Sequence, residues 1–213
     1  MTEPRDELVE DIAGDAIAAL IPMGGTLGKR LARSLSTEWR RNTSRALGVA
    51  EDASGLSRED FAEWIKDDVR AIPLYLKVLW AAGMNGHDQT LRAMGSVLGS
   101  AAQATARGDD EAFEEADLAL RAMSDLTARH FRVLRVVSEG QVVGPEGGEP
   151  NYRQFTPDHV ASRAGMREEV AHQCLINLAG AGLATTLNVL GGMAYPITDL
   201  GRAVTLAATA VGE

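Results

Sequence analysis

Thiols are all but absent from this sequence, lysine is scarce, and no apolar run is long. The single Cys174 cannot close an internal disulfide and has no second thiolate with which to hold a structural zinc. That excludes a disulfide framework and fits a reducing cytosol. Lysine occurs only as Lys29, Lys66 and Lys77, so arginine carries most of the positive charge. The apolar stretch at residues 16–25 falls well short of the roughly 20 residues that cross a bilayer. An export signal opens on positive charge, whereas this chain opens on Glu3, Asp6, Glu7, Glu10 and Asp11, so a cytoplasmic protein is expected.

What is present suffices for one or two ordinary domains: 213 residues, 45% of them apolar and 24% charged. The net charge of −9 is unevenly spread. Residues 1–28 hold one basic against six acidic residues, a sum of −5, and residues 46–126 hold seven against fifteen, a sum of −8. Residues 127–213 are nearly balanced, with seven against eight. Only residues 29–45 are basic, at +5 from six cations and one acid. A uniformly basic nucleic-acid surface is therefore excluded, and any polyanion contact must be local.

The periodicity of the first 126 residues is helical throughout. Leu8, Val9, Ile12, Ala16, Ala19 and Leu20 form one face of a helix over 6–21, which Pro22, Gly24 and Gly25 break. A second helix is expected over 26–47, with Leu27, Leu31, Leu35 and Trp39 on one side. Lys29, Arg30, Arg33, Arg40, Arg41 and Arg45 lie on the other, as candidates for binding an anion or a partner. Three occupants suit that basic face: an anionic lipid surface, a nucleic-acid backbone, or the acidic stretch 46–126 of the same or a neighbouring chain. Residues 48–55 read as a linker. Ser57 then caps a helix that runs to about Ile72, where Pro73 interrupts it. Further helices follow over 74–80, 88–107 and 109–123, and together they predict a helical bundle as a domain over 1–126.

After Leu126 the order of signals changes. Thr127 opens a helix with Phe131, Leu134 and Val137 inward, and residues 139–155, rich in glycine and proline, read as a long flexible loop. Thr156, Pro157 and Asp158 start a short helix that Gly165 turns into another, whose buried stripe is Val170, Cys174, Leu175 and Leu178. Gly182 ends it. Two short apolar runs flank Gly191 and Gly192 as a β-hairpin, and Thr198 with Asp199 caps a closing helix. The fold class expected is mainly α, an N-terminal bundle followed by a domain over 127–213 with a two-stranded hairpin.

Helix, helix, turn, helix, hairpin, helix is the order of a winged helix. Residues 127–211 resemble the winged helix-turn-helix superfamily, in the style of MarR-like and PadR-like regulators. The phrase that carries the resemblance is Leu178–Gly182–Leu183 followed by Tyr195–Pro196–Ile197–Thr198–Asp199–Leu200–Gly201–Arg202. The resemblance implies a regulator that binds double-stranded DNA as a homo-oligomer, commonly a dimer. A fainter likeness covers the whole chain. The glycine-rich apolar start, Arg41–Asn42, the acidic middle and Leu126–His130–Val133–Leu134 are similar to the abortive-infection alpha family of bacterial phage-defence proteins. That likeness implies a defence or prophage-linked role and supplies no catalytic residues.

If the helix after Gly165 reads DNA, Arg163, Arg167, His172, Gln173, Asn177 and Arg202 are the candidates to touch bases and phosphates, with His172 exposed. Glu168 and Glu169 stand on the same helix, and no Lys or Arg occurs between Leu183 and Ile197, where a DNA-binding wing usually carries one. A protein partner is the alternative for the same face, since winged helices also serve as interaction modules. Catalytic chemistry is not visible. Residues 24–29 lack the spacing of a phosphate-binding loop, the four histidines are far apart, and no nucleophile stands at a recognisable distance from a base. The expectation is a non-enzymatic regulatory protein without metal or cofactor.

Overall fold

A computed structural model describes residues 26–84, 86–140, 152–190 and 192–209, with side chains described from Thr37 onward except Met84. The expected helix over 6–21, the side chains of Lys29, Arg30 and Arg33, and most of the 139–155 loop lie outside the described residues. Among those residues there are nine α-helices, one turn of 3₁₀ helix and one two-stranded antiparallel hairpin, so the chain is mainly α with a small β element near its end.

Helix α1 spans Thr26–Ser54. The expected linker over 48–55 does not exist as such, because the helix runs through Gly48 and stops only at Gly55. Burial explains the continuation. Ala46 and Ala50 are fully buried against helix α4, Asp88–Arg107, and that packing outweighs the roughly 1 kcal/mol that a glycine costs inside a helix. A Cβ added at Gly95 would lie 2.3 Å from the Ala46 carbonyl oxygen, and one at Gly99 would lie 2.6 Å from that of Ala50. The two glycines, one turn apart, let the helix backbones approach closely, and their order shows that α1 and α4 run parallel.

Helix α2, Arg58–Asp67, starts where Ser57 accepts a hydrogen bond from the Asp60 N–H. It ends five residues earlier than the sequence suggested. Asp68 accepts from the backbone and side chain of Arg70, a turn that stops the helix and starts helix α3, Ala71–Met84. Pro73 then falls in the first turn of α3, where its missing N–H is no loss. Short connections make α3 and helix α5, Asp110–Met123, antiparallel neighbours of α4. Lys77 of α3 and Arg121 both bind Asp117 of α5. Burial pushes the Asp117 pKa up, but hydrogen bonds from these two cations outweigh it and hold the carboxyl below its ordinary range.

Helices α6, Ala128–Ser138, α7, Pro157–Ala164, and α8, Glu168–Gly180, pack on one another. Gly165 joins α7 to α8 with φ 62°, a left-handed conformation that glycine adopts freely. The end of the expected loop is ordered. Residues 152–155 form the 3₁₀ turn, Phe155 is fully buried, and its carbonyl accepts from the Tyr195 N–H at 3.0 Å. Strands β1, Leu187–Val189, and β2, Gly192–Ala194, pair in a register that continues to the Ala184–Ile197 bridge. The turn therefore closes between Val189 and Gly192, one position before the expected glycine pair.

Helix α9, Asp199–Thr209, is capped as expected, with the Gly201 N–H donating to the Thr198 hydroxyl oxygen. It packs on α4 as well as on α6. One continuous cluster of buried apolar side chains runs from Ala46 to Val204, and α9 ties the bundle to the helices that carry the hairpin.

Candidate interaction face around α8

The exposed side of α8 carries Glu168, Glu169, Gln173, Ile176 and Asn177, while Ala171, Cys174, Leu175 and Leu178 are buried beneath it. Cys174 is thus a small core residue, and burial pushes its thiol pKa up, away from the reactive thiolate. Position along the helix decides what each exposed group meets.

At the N-terminal end, Glu168 and Glu169 occupy the first turn, where the helix dipole favours anions. His172, expected to be exposed, is half-buried. Its Nε2 lies 3.0 Å from the Tyr195 hydroxyl, and the two rings meet edge-on with centroids 5.8 Å apart. The hairpin folds back on α8 at this point, which takes the imidazole away from solvent. Tyr195, absent from the sequence-based candidates, is what turns it. An open groove of about 1150 Å³ lies between the hairpin and the starts of α7 and α8, lined among others by Asp158, Glu168, His172, Asn188 and Leu190. The Thr156 hydroxyl hydrogen-bonds Asp158 and, with the His159 N–H, holds that carboxyl below its ordinary pKa, and Arg153 lines the same groove.

The C-terminal half of α8 faces a second cleft, of about 770 Å³, whose far wall is α5. Ile176 and Asn177 form one side, Leu118, Arg121 and Asp125 the other, and His130 lies between. Ile176 and Leu118 leave 45% and 55% of their surfaces in solvent. Leu118 shares a helical face with Glu111, Glu114 and Glu115, and an apolar residue on so charged a face was the one signal in the sequence that could have pointed here.

Polar groups across the cleft form a chain. The Thr127 N–H donates to His130 Nδ1 at 3.1 Å, and the Thr127 hydroxyl lies 2.9 Å from the same nitrogen. The Asn177 amide lies 3.1 Å from the ring Nε2 and 3.0 Å from the Gln173 amide. Gln173 Nε2 donates to Asn177 Oδ1, and it is the Asn177 NH2 that faces His130. Burial lowers the His130 pKa, which keeps the ring in the neutral form that the arrangement requires.

The candidate cations are scattered by comparison. Arg163 reaches Glu139 at 2.9 Å and Arg202 reaches Asp199 at 3.4 Å, so each is partly neutralised. Arg167 is the exposed N-cap residue of α8, and Arg129 and Arg132 are exposed on α6. On α1, Arg41 pairs with Glu38 and Arg45 with Asp88, the latter at 2.6 Å, so part of the basic face does meet the acidic stretch of its own chain. Arg40 is exposed. Among the described residues no three His, Cys, Asp or Glu side chains cluster as metal ligands, and no helix is long and apolar enough to cross a membrane.

Comparison of the chain with protein-family models, with curated proteins and with solved structures gives no match.

Proposed function

We propose that this chain is a non-enzymatic regulatory protein whose C-terminal helices and hairpin form a winged helix, and that the face around α8 binds a protein partner rather than DNA. The observation that carries this reading is what lies over α8. Recognition helices read bases with residues near their N-terminus, in a groove about 12 Å wide. Here that end presents Glu168 and Glu169, and His172 is turned to Tyr195. Farther along, Ile176 and Asn177 look into a cleft walled by α5 instead of into open solvent. Two half-exposed aliphatic side chains bordered by amides and charges make a surface suited to a protein ligand.

A photo-crosslinking residue in place of Ile176, in the protein expressed in its native host, tests the proposal. A discrete protein adduct that is absent when the probe replaces Leu206 supports it, and adducts to nucleic acid contradict it. The competing reading is a DNA-binding transcriptional regulator acting as a dimer, with Arg129, Arg132 and Arg167 exposed near the α6–α8 unit in its favour. A role in phage defence or a prophage, implied by the whole-chain resemblance, is compatible with a protein partner and narrows its search to phage and defence proteins.

A further inference from the structure

The cleft between α5 and α8 is bordered by charge that the chain itself leaves unmatched. Elsewhere on the bundle carboxylates meet cations: Arg70 reaches Asp110 at 2.7 Å, Lys77 and Arg121 bind Asp117, and Arg45 and Arg92 bind Asp88. Among the described residues no Lys or Arg pairs with Glu111, Glu114, Glu115 or Asp125, and all four are exposed. The first three share the outer face of α5 with Leu118, and Asp125 lines the cleft itself. A helix dipole favours acids in the first turn, which accounts for Glu111 but not for Glu114 and Glu115 farther in. Glu111 and Glu115, four residues apart, repel each other and weaken the helix that carries them. Glu111 stands two turns before Leu118, about 10 Å along the axis, and the exposed Glu169 stands as far before Ile176 on α8.

On the reading of the α8 face as a protein-binding surface, on which this rests, we infer that the partner presents a basic amphipathic helix. Its aliphatic side chains enter the cleft against Leu118 and Ile176, and its Lys and Arg side chains lie over Glu111, Glu114 and Glu115. Size and charge single out this occupant. A cleft of about 770 Å³ admits a few side chains, as when a helix lays its apolar stripe into a groove, and not a folded domain. Arg121, the one Lys or Arg among the lining residues, is engaged with Asp117 at 2.6 Å, so Asp125 and the three glutamates leave the rim anionic. Arg129 and Arg132 of α6 do not line it. An acidic segment would set its charge against those carboxylates, whereas a basic one relieves the repulsion along α5.

Selection from a displayed library of random peptides about fifteen residues long, enough for four helical turns, tests the inference with the full chain as bait. Peptides whose binding is lost on Leu118→Asp and on Ile176→Asp are the cleft-dependent ones. They should carry an excess of Lys and Arg beside a helical apolar stripe. Synthetic copies should bind about five- to ten-fold more weakly when Glu111→Gln, Glu114→Gln and Glu115→Gln are combined, as expected for the loss of three exposed ion pairs. That variant loses a repulsion within α5, so weaker binding does not reflect unfolding. The same charge change on α2, Glu59→Gln with Glu63→Gln and Asp67→Asn, should leave affinity unchanged, and an equal loss there overturns the inference. Cleft-dependent peptides that are neutral or acidic, or equal binding to the parent and the α5 variant, overturn it while leaving the protein-binding reading in place. A library that yields no cleft-dependent peptide overturns it as well, and the crosslink at Ile176 then reads separately whether a protein occupies the face.

Discussion

Asn177, on the outer side of α8, lies 3.1 Å from Nε2 of His130 in the first turn of α6, forty-seven residues earlier in the chain. Through that contact the helix at the centre of the proposed interaction face is tied to the point where the bundle ends and the hairpin-bearing helices begin. His130 also takes the place three residues into a helix where Glu or Gln normally completes a capping box, with the Thr127 N–H as its donor. One imidazole thus serves a helix start and a tertiary contact together.

Removing it should affect both. His130→Ala is expected to lower stability by about 1 kcal/mol, the usual consequence of losing a cap. Urea unfolding of the variant against the parent measures the difference.

The same residue sets a pH dependence. Burial lowers the His130 pKa below the ordinary 6.5, so the unfolded chain takes up the proton first as the solution is acidified. Its contribution to stability is therefore fully present above about pH 6.5 and is lost as pH falls through the lower value of the folded state. The urea midpoint should fall over this window in the parent and stay flatter in His130→Gln. Asp117 adds a separate loss in stronger acid. Its folded pKa also lies below the ordinary value, so the stability due to Lys77 and Arg121 is present above about pH 4 and lost below it.

Close backbone contacts predict opposite outcomes for two glycines. A Cβ at Gly201 would lie 2.1 Å from the Leu183 carbonyl oxygen, whereas one at Gly180 would meet nothing within 4 Å. Gly201→Ala should destabilise by about 1–3 kcal/mol through overpacking. Gly180→Ala, near the end of α8, should be neutral or stabilising by up to about 1 kcal/mol. Thermal or urea denaturation of the pair reads both signs.

Because α9 packs on α4, the two ends of the chain should unfold together. All three tryptophans, Trp39, Trp64 and Trp80, lie in α1–α3, yet Val204→Ala in α9 should shift the fluorescence midpoint as far as it shifts the far-UV dichroism midpoint. The expected loss is roughly 2 kcal/mol for a fully buried aliphatic side chain. Separate transitions would show that the bundle is stable without α9.

Elements whose start and stop are written locally were legible in the sequence. Ser57, Asp109, Gly108, Gly165 and Thr198 mark helix ends by their own side-chain or backbone chemistry, and the structure places the ends within a residue or two of them. What depended on partners distant in sequence was not legible. Gly48 reads as a breaker until Gly95 and Gly99 bring α4 against α1, and α2 stops at Asp68 because of Arg70 rather than Pro73. The face of α8 shows the same division. Periodicity put Gln173 and Asn177 on the outer face, but it could not show that Tyr195 draws His172 inward or that Leu118 of α5 and Asp125 just after it stand opposite. Those contacts arise from how the bundle and the hairpin close over the helix, which no local pattern encodes.

The central claim, that the α8 face is closed to a DNA groove, meets its most direct test in the binding of a fluorescent random-sequence duplex at rising salt. A protein-binding winged helix should leave anisotropy unchanged even at about 50 mM salt. Affinity that appears at low salt and falls steeply with ionic strength, and that weakens in Arg129→Ala, Arg132→Ala and Arg167→Ala, would contradict the account.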